Sequence, residues 1–275
     1  MAHSALGVCS WSLQVSNIPD LVRLSAEVGA EVVQVGIGDP THGAWDEGAD
    51  FVGALQASGL ELSGTMIGFP GEDYTSPATI RETGGFGDPA LRAGRLEIFR
   101  YAVDKTAELG LQCLCSHAGF IPEEDGPERS SFLDCIAEAA QYAGDKDVLF
   151  TMETGQETAA LLRRTLDELK LPSLRVNFDP ANMILYDMGD PIEAIEILGP
   201  DIAHVHAKDA NPPQTSGEWG EEVPLGDGSV GMAAFAEALA KAGYRGPLVV
   251  EREVGDQAER IAAIKHGISV LRELT

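Results

Sequence analysis

The stretch "DVLFTMETGQETAALLRRTLDELKLPSLRVNFD", residues 147–179, contains one complete structural repeat. Its first seven residues are a short apolar run with period-two alternation, the mark of a strand. Residues 157–169 follow with helical spacing of Ala, Leu and Thr against Arg, Asp and Glu. A Lys-Leu-Pro-Ser turn then leads into a second strand, 173–179. Two strands joined by a helix of this length form a parallel β-α-β unit.

The same rhythm continues in both directions. Strand-like runs fall at 6–11, 30–37, 60–67, 111–117, 147–153, 173–179, 202–208 and 247–251. Helical patterns follow at 18–29, 46–59, 91–110, 128–144, 157–169, 190–199, 231–243 and 256–274. Several of these end at a glycine (Gly29, Gly110, Gly144, Gly243), the usual helix stop. Eight alternating units predict a single (β/α)8 barrel. A doubly wound open sheet would want a G-x-G-x-x-G turn after an early strand, and none is present. No linker-like segment interrupts the chain, so residues 1–275 read as one domain.

Composition narrows the function. The 275 residues carry 19 Lys and Arg against 44 Asp and Glu, a net charge of −25. That surplus repels nucleic acid and anionic membrane, so neither is an expected partner. No apolar run is long enough to span a bilayer, and the N-terminal stretch lacks the basic and apolar regions of a signal peptide. A cytoplasmic protein is the expectation. Cys9, Cys113, Cys115 and Cys135 form no C-x-x-C pair and read as reduced core thiols. The loops 68–93 and 211–230 are too long for mere connectors and read as lids or subunit contacts, which makes a homodimer plausible.

Strand alternation then decides which side chains face the barrel interior. In 147–153, Val148, Phe150 and Met152 form the apolar face that packs on helices, leaving Leu149, Thr151 and Glu153 inside. In 173–179, Arg175, Asn177 and Asp179 point inward. In 202–208, His204 and His206 do, with His206 nearer the C-terminal end, where barrel active sites sit. In 247–251, Val249 and Glu251 do. Four neighbouring strands thus end in Glu153, Asp179, His206 and Glu251. Three buried carboxylates so close repel one another, and a divalent cation relieves that conflict. Three carboxylates and one imidazole suit Mn2+, with Mg2+, Co2+ and Zn2+ as other options.

These residues carry a resemblance. The stretches "METGQE" (152–157), "VNFDPAN" (176–182), "HVHAKD" (204–209), "VPLGDGSV" (223–230) and "LVVERE" (248–253), with "SHAG" (116–119), resemble the xylose-isomerase-like TIM barrel superfamily, in its sugar phosphate isomerase/epimerase branch. The resemblance implies a metal held by Glu153, Asp179, His206 and Glu251. It implies a metal-dependent isomerase or epimerase acting on a carbohydrate, keto- or aldose or polyol-derived. Glu153 and Glu251 would be the acid/base pair that moves a proton α to a chelated carbonyl through an enediolate. The same site could instead serve a dehydratase or β-eliminating lyase on a keto-inositol or 3-keto-glycoside. Its discriminating feature would be an acid, from loop 68–93 or 211–230, placed to protonate a leaving group.

Substrate contacts are expected from His117, Asn182, Lys208, Glu157 and Trp11, with His204 either orienting a ligand from the layer below or standing as a satisfied core histidine. Gln34 faces inward on strand two, where several relatives carry Glu. Two features depart from the resemblance. Ketohexose 3-epimerases carry an Arg several residues after the strand-seven His, whereas "NPPQTSGEWGEE" has no cation. Few interior cations are available for a phosphate. The related apurinic endonucleases carry a histidine where Asn182 stands, and their Asp-x-His after strand seven is missing.

Overall fold

The computed structural model describes residues 4–37 and 51–275. Residues 46–50 of the expected helix 46–59 lie outside the described residues. Eight parallel strands close into a barrel: β1 (Leu6–Cys9), β2 (Val32–Gly36), β3 (Leu62–Met66), β4 (Cys113–Ser116), β5 (Leu149–Glu153), β6 (Leu174–Phe178), β7 (Ile202–Ala207) and β10 (Leu248–Val250). Each pairs with its neighbour in sequence, and β1 closes on β10. This is a single (β/α)8 TIM barrel, as the alternation predicts.

The helices are α1 (Ile18–Val28), α2 (Phe51–Ala57), α3 (Pro77–Thr83), α4 (Arg92–Glu108), α5 (Pro127–Gly144), α6 (Ala159–Leu169), α7 (Pro180–Leu185), α8 (Pro191–Leu198), α9 (Met232–Lys241) and α10 (Gln257–Leu274). Local chemistry sets their ends. Asn17 caps α1, and Asp256 and Glu259 form a reciprocal capping box on α10. Gly29, Gly110 and Gly243 adopt the left-handed conformation after their helices. Gly144 does not: it is the last residue of α5, pressed against Ser173, where a Cβ would lie 2.9 Å from the Ser173 hydroxyl.

Neither long loop is structureless. The 68–93 segment contains α3 and is tied down from within. The Arg95 guanidinium donates to the carbonyls of Gly85, Thr83 and Pro70, and Arg92 donates to those of Phe86 and Gly87. The Glu72 carboxylate accepts from the backbone N–H groups of Phe69 and Gly85. The 211–230 segment begins in a small antiparallel pair, β8 (Asp209–Asn211) with β9 (Glu221–Val223). The buried Asp209 carboxylate then gathers the N–H groups of Gly226, Gly228 and Val230. These segments are built walls of the barrel mouth. Guanidinium and carboxylate groups bonded several times over tie them down.

The apolar faces expected to point outward are buried against the helices: Val148, Phe150, Met152, Val176, Phe178, Val205 and Val250 all join the main core. A separate inner cluster of Cys9, Trp11 and Val249 lies beneath the mouth. Among the described residues no helix is long and apolar enough to cross a membrane.

Candidate metal centre and active site

Barrel geometry brings the four strand-end residues to one point. One ligating atom each from Glu153, Asp179, His206 and Glu251 lies within 4.8 Å of the others, and all four residues are buried. Strand register alone does not align them. Glu153 pairs with Asn177, two residues short of Asp179, and His206 pairs with Val249, two short of Glu251. The tilt of the strands converts that stagger into equal height along the barrel axis.

Each ligand is locally anchored. Asp179 is the N-cap of α7: its Oδ1 accepts from the Ala181 and Asn182 N–H groups at 2.8 and 2.9 Å. Its Oδ2 has no hydrogen-bond partner although fully buried, and lies 3.9 Å from His206 Nδ1. The Thr154 hydroxyl exchanges hydrogen bonds with the Asp179 backbone and joins the ends of β5 and β6. Glu251 accepts from Trp11 Nε1 at 2.7 Å and from Lys208 Nζ at 3.0 Å. Glu153 Oε1 lies 2.8 Å from His206 Nδ1 and accepts from Asn182 Nδ2 at 3.2 Å.

His206 is oriented by Gln34. The Gln34 amide nitrogen donates to the Thr65 carbonyl, which turns its oxygen toward His206 Nε2 at 2.6 Å. Nε2 therefore carries a proton, and Nδ1 faces the three carboxylates. That is the tautomer a metal-binding imidazole needs when its other nitrogen is hydrogen-bonded. His204 bonds Asn177 through Nδ1 and Ser63 through Nε2. It touches His206 only as a perpendicular ring at 5.8 Å, and burial pushes it down to about 3, so it stays neutral. Of the two readings of His204, the satisfied core histidine is the one its bonds match, and the orienting role falls to Gln34. Alternation on strand two placed Gln34 inside, but only the closed barrel sets it across from β7.

The electrostatics show a shortage of positive charge. Burial drives the Asp179 carboxyl well above the usual range. Burial also penalises Glu251, but the Lys208 ammonium and the His206 ring outweigh it and hold this carboxyl well below that range. Glu153 is likewise lowered against burial by His206 and His117. The residues fit a divalent cation: a buried carboxylate oxygen without a protein partner, a correctly oriented imidazole nitrogen, and two more carboxylates converge on one point. A second grouping, Cys9 with His206 and Glu251, is equally compact, but burial pushes the Cys9 thiol up to about 12, which keeps it protonated. Cys113 and Cys115 also face inward, toward Thr151 and Glu153; all four cysteines are free and buried.

A cavity of about 570 Å³ opens above the cluster. Four of the five expected substrate residues line it: Trp11, His117, Asn182 and Lys208. His117 Nε2 lies 3.6 Å from Glu153 Oε2. Lys208 does not pair with Asp209; it lies 3.0 Å from Glu251, 2.6 Å from Glu253 and 3.9 Å from Glu222. Glu157, the fifth, is buried outside that lining set with its Oε1 unpartnered, and burial raises it to about 8. The sequence reading missed Tyr74, Tyr186 and Trp219 on the cavity wall, and Glu222 and Glu253 around Lys208. Loop aromatics and loop acids carry no period that marks them.

A match to the family model described as xylose isomerase-like TIM barrel runs over residues 22–274. The chain belongs to that family. A crystal structure of a xylose isomerase domain protein from Planctomyces limnophilus superposes with a TM-score of 0.89 at 29% identity, covering 99% of this chain and 97% of that one. The curated relative L-ribulose-5-phosphate 3-epimerase UlaE of Escherichia coli is 28% identical over 173 residues. The aligned stretch covers 61% of this chain and spans 59% of that relative's length. The 3-keto-D-glucoside 4-epimerase YcjR of E. coli shares the fold, with a TM-score of 0.71 at 18% identity over 98% of this chain and all of that one.

Proposed function

We propose that this barrel is a divalent-metal-dependent carbohydrate isomerase or epimerase. Convergence of Glu153, Asp179, His206 and Glu251 within 4.8 Å at the C-terminal mouth of the barrel carries the reading. Those four residues would hold the ion, for which Mn2+ best matches the donor set. A bound ion supplies Lewis acidity, polarising a carbonyl and its neighbouring hydroxyl so that the C–H between them is acidified. Glu153 and Glu251 come from the outer two of the four ligand-bearing strands, β5 and β10, and in this reading one removes the α-proton while the other returns it through an enediolate.

The surrounding residues tune that exchange. Trp11 Nε1 and Lys208 Nζ both donate to Glu251, which keeps it ionised and ready to accept a proton. Asn182 donates to Glu153 and fixes its carboxylate plane. His117, beside Glu153 at the cavity wall, is placed to bond a substrate hydroxyl. A β-eliminating reaction would want an acid free to protonate a leaving group. Among the described residues of those two loops, the acids facing the cavity are Glu72 and Glu222, and both are engaged as acceptors: Glu72 by two backbone N–H groups, Glu222 by Arg252 and the Glu253 N–H; Glu253, after β10, also lines the cavity and is held by Lys208. That arrangement favours the isomerase or epimerase over the lyase.

The test is exchange in D2O. Metal-loaded protein is incubated with ketoses, aldoses, inososes and 3-keto-glycosides, and the products are followed by NMR. Deuterium uptake α to a carbonyl with a rearranged sugar is expected. Glu153→Gln and Glu251→Gln should each abolish exchange while retaining ligand binding. Exchange accompanied by loss of a β-substituent would transfer the site to the lyases. Undiminished activity in both variants would refute the two-carboxylate mechanism.

A further inference from the structure

The cavity lining includes a group of loop aromatics, Tyr74, Tyr186 and Trp219, beyond the metal cluster. Tyr186 and Trp219 meet edge to face at 4.7 Å, and Phe120 packs on the other side of Tyr186 at 5.8 Å. Across the opening, Tyr74 tilts over the His117 ring at 6.3 Å and is 45% exposed. The two sides are tied together, since Trp219 Nε1 donates to the Tyr74 carbonyl at 3.2 Å. This bond joins the 68–93 and 211–230 segments into one collar.

Charge at the cavity follows a second pattern. Lys208 is the one lysine or arginine among the described residues lining it, and its ammonium is committed to Glu251, Glu253 and Glu222. Arg252, just outside, is paired with Glu222. Glu72, Glu222, Glu251 and Glu253 all line the same space. Residues 38–50 include no lysine or arginine. A phosphate needs unpaired guanidinium, ammonium or clustered N–H donors, and here it would meet carboxylates instead. The volume, about 570 Å³, is that of a pocket for a drug-sized ligand rather than for one small sugar.

We infer that the substrate is a neutral keto-glycoside, with the ketone-bearing sugar ring at the metal cluster and a cyclic aglycone resting on the Tyr74–Tyr186–Trp219 collar, and that sugar phosphates are rejected. The inference deepens the proposed carbohydrate reaction and rests on it for where the sugar ring sits. Aromatic side chains cover the apolar faces of a ring while leaving its polar edge wet.

The test is a binding titration with glycosides that lack the ketone, unreactive analogues that bind without turnover. Metal-loaded full-length protein is titrated calorimetrically with methyl β-D-glucopyranoside, phenyl β-D-glucopyranoside, D-glucose and D-glucose 6-phosphate. The phenyl glycoside should bind about tenfold tighter than the methyl glycoside, the worth of one good aromatic contact. The 6-phosphate should bind at least about tenfold more weakly than glucose. Trp219→Ala should bring the phenyl-to-methyl ratio close to one, and Trp219→Phe should restore most of it. A ratio near one in the unmodified protein, tightest binding of the phosphate, or no binding of either glycoside would each overturn the inference. Failure of deuterium exchange with the phenyl preference intact would instead reject the reaction and leave the collar assignment standing.

Discussion

Glu157→Gln offers a quantitative check on how the barrel treats a buried charge. Glu157 is 5% exposed, one of its oxygens has no partner, and burial alone raises its carboxyl from 4.5 to about 8. Between those values the folded chain keeps a proton that the unfolded chain has released. Stability is therefore highest at low pH and falls as pH rises, with the loss complete once pH passes about 8. Linkage over pH 5 to 8 gives a loss of about 3.5 kcal/mol from this one group. Glutamine keeps the size and polarity of the protonated acid but cannot ionise. Urea unfolding at pH 5, 6, 7 and 8, with a chelator present throughout, measures both proteins. Asp179, raised in the same direction, contributes equally to each, so the difference isolates Glu157. The variant should match the parent at pH 5 and exceed it at pH 8 by about 3.5 kcal/mol. Parallel pH profiles would refute the claim that this carboxyl is held neutral by burial.

Lys208→Met removes the cation shared by Glu251, Glu253 and Glu222, and should cost about 3–5 kcal/mol of unfolding free energy by leaving buried carboxylates uncompensated; chemical denaturation at pH 7 measures it. Gln34→Leu should weaken divalent-metal affinity about 10–100-fold, because His206 Nε2 loses its acceptor, while the circular dichroism spectrum stays unchanged. Calorimetric titration with Mn2+ reads that loss directly. Gly155→Ala should destabilise by about 1–3 kcal/mol: its φ is +136°, and a Cβ there would lie 2.6 Å from the Cβ of Asn182. A thermal melt detects the change, and reduced exchange activity should accompany it, since Asn182 orients Glu153.

The sequence by itself determined the barrel, because eight switches between period two and period 3.6 admit few other topologies. It also determined which strand residues face inward, because alternation is a local property: Glu153, Asp179, His206 and Glu251 were all legible in this way. Tertiary structure decided what those residues touch. Gln34 reaches His206 across 172 positions and Trp11 reaches Glu251 across 240, contacts that exist only because β1 and β2 close the circle against β10 and β7. Alternation placed Lys208 on the side of His206 but could not choose its partners, which come from β9 and from the segment after β10 rather than from adjacent Asp209. His204 shows the same limit, since its face was readable and its hydrogen bonds to Asn177 and Ser63 were not. The aromatic collar lay furthest from sequence reading. Loop side chains have no period, and their positions are fixed by Arg95, Glu72 and Asp209 bonding to backbone well along the chain. Facing is set by backbone pleat and survives without a fold, whereas partnership depends on closure of the barrel.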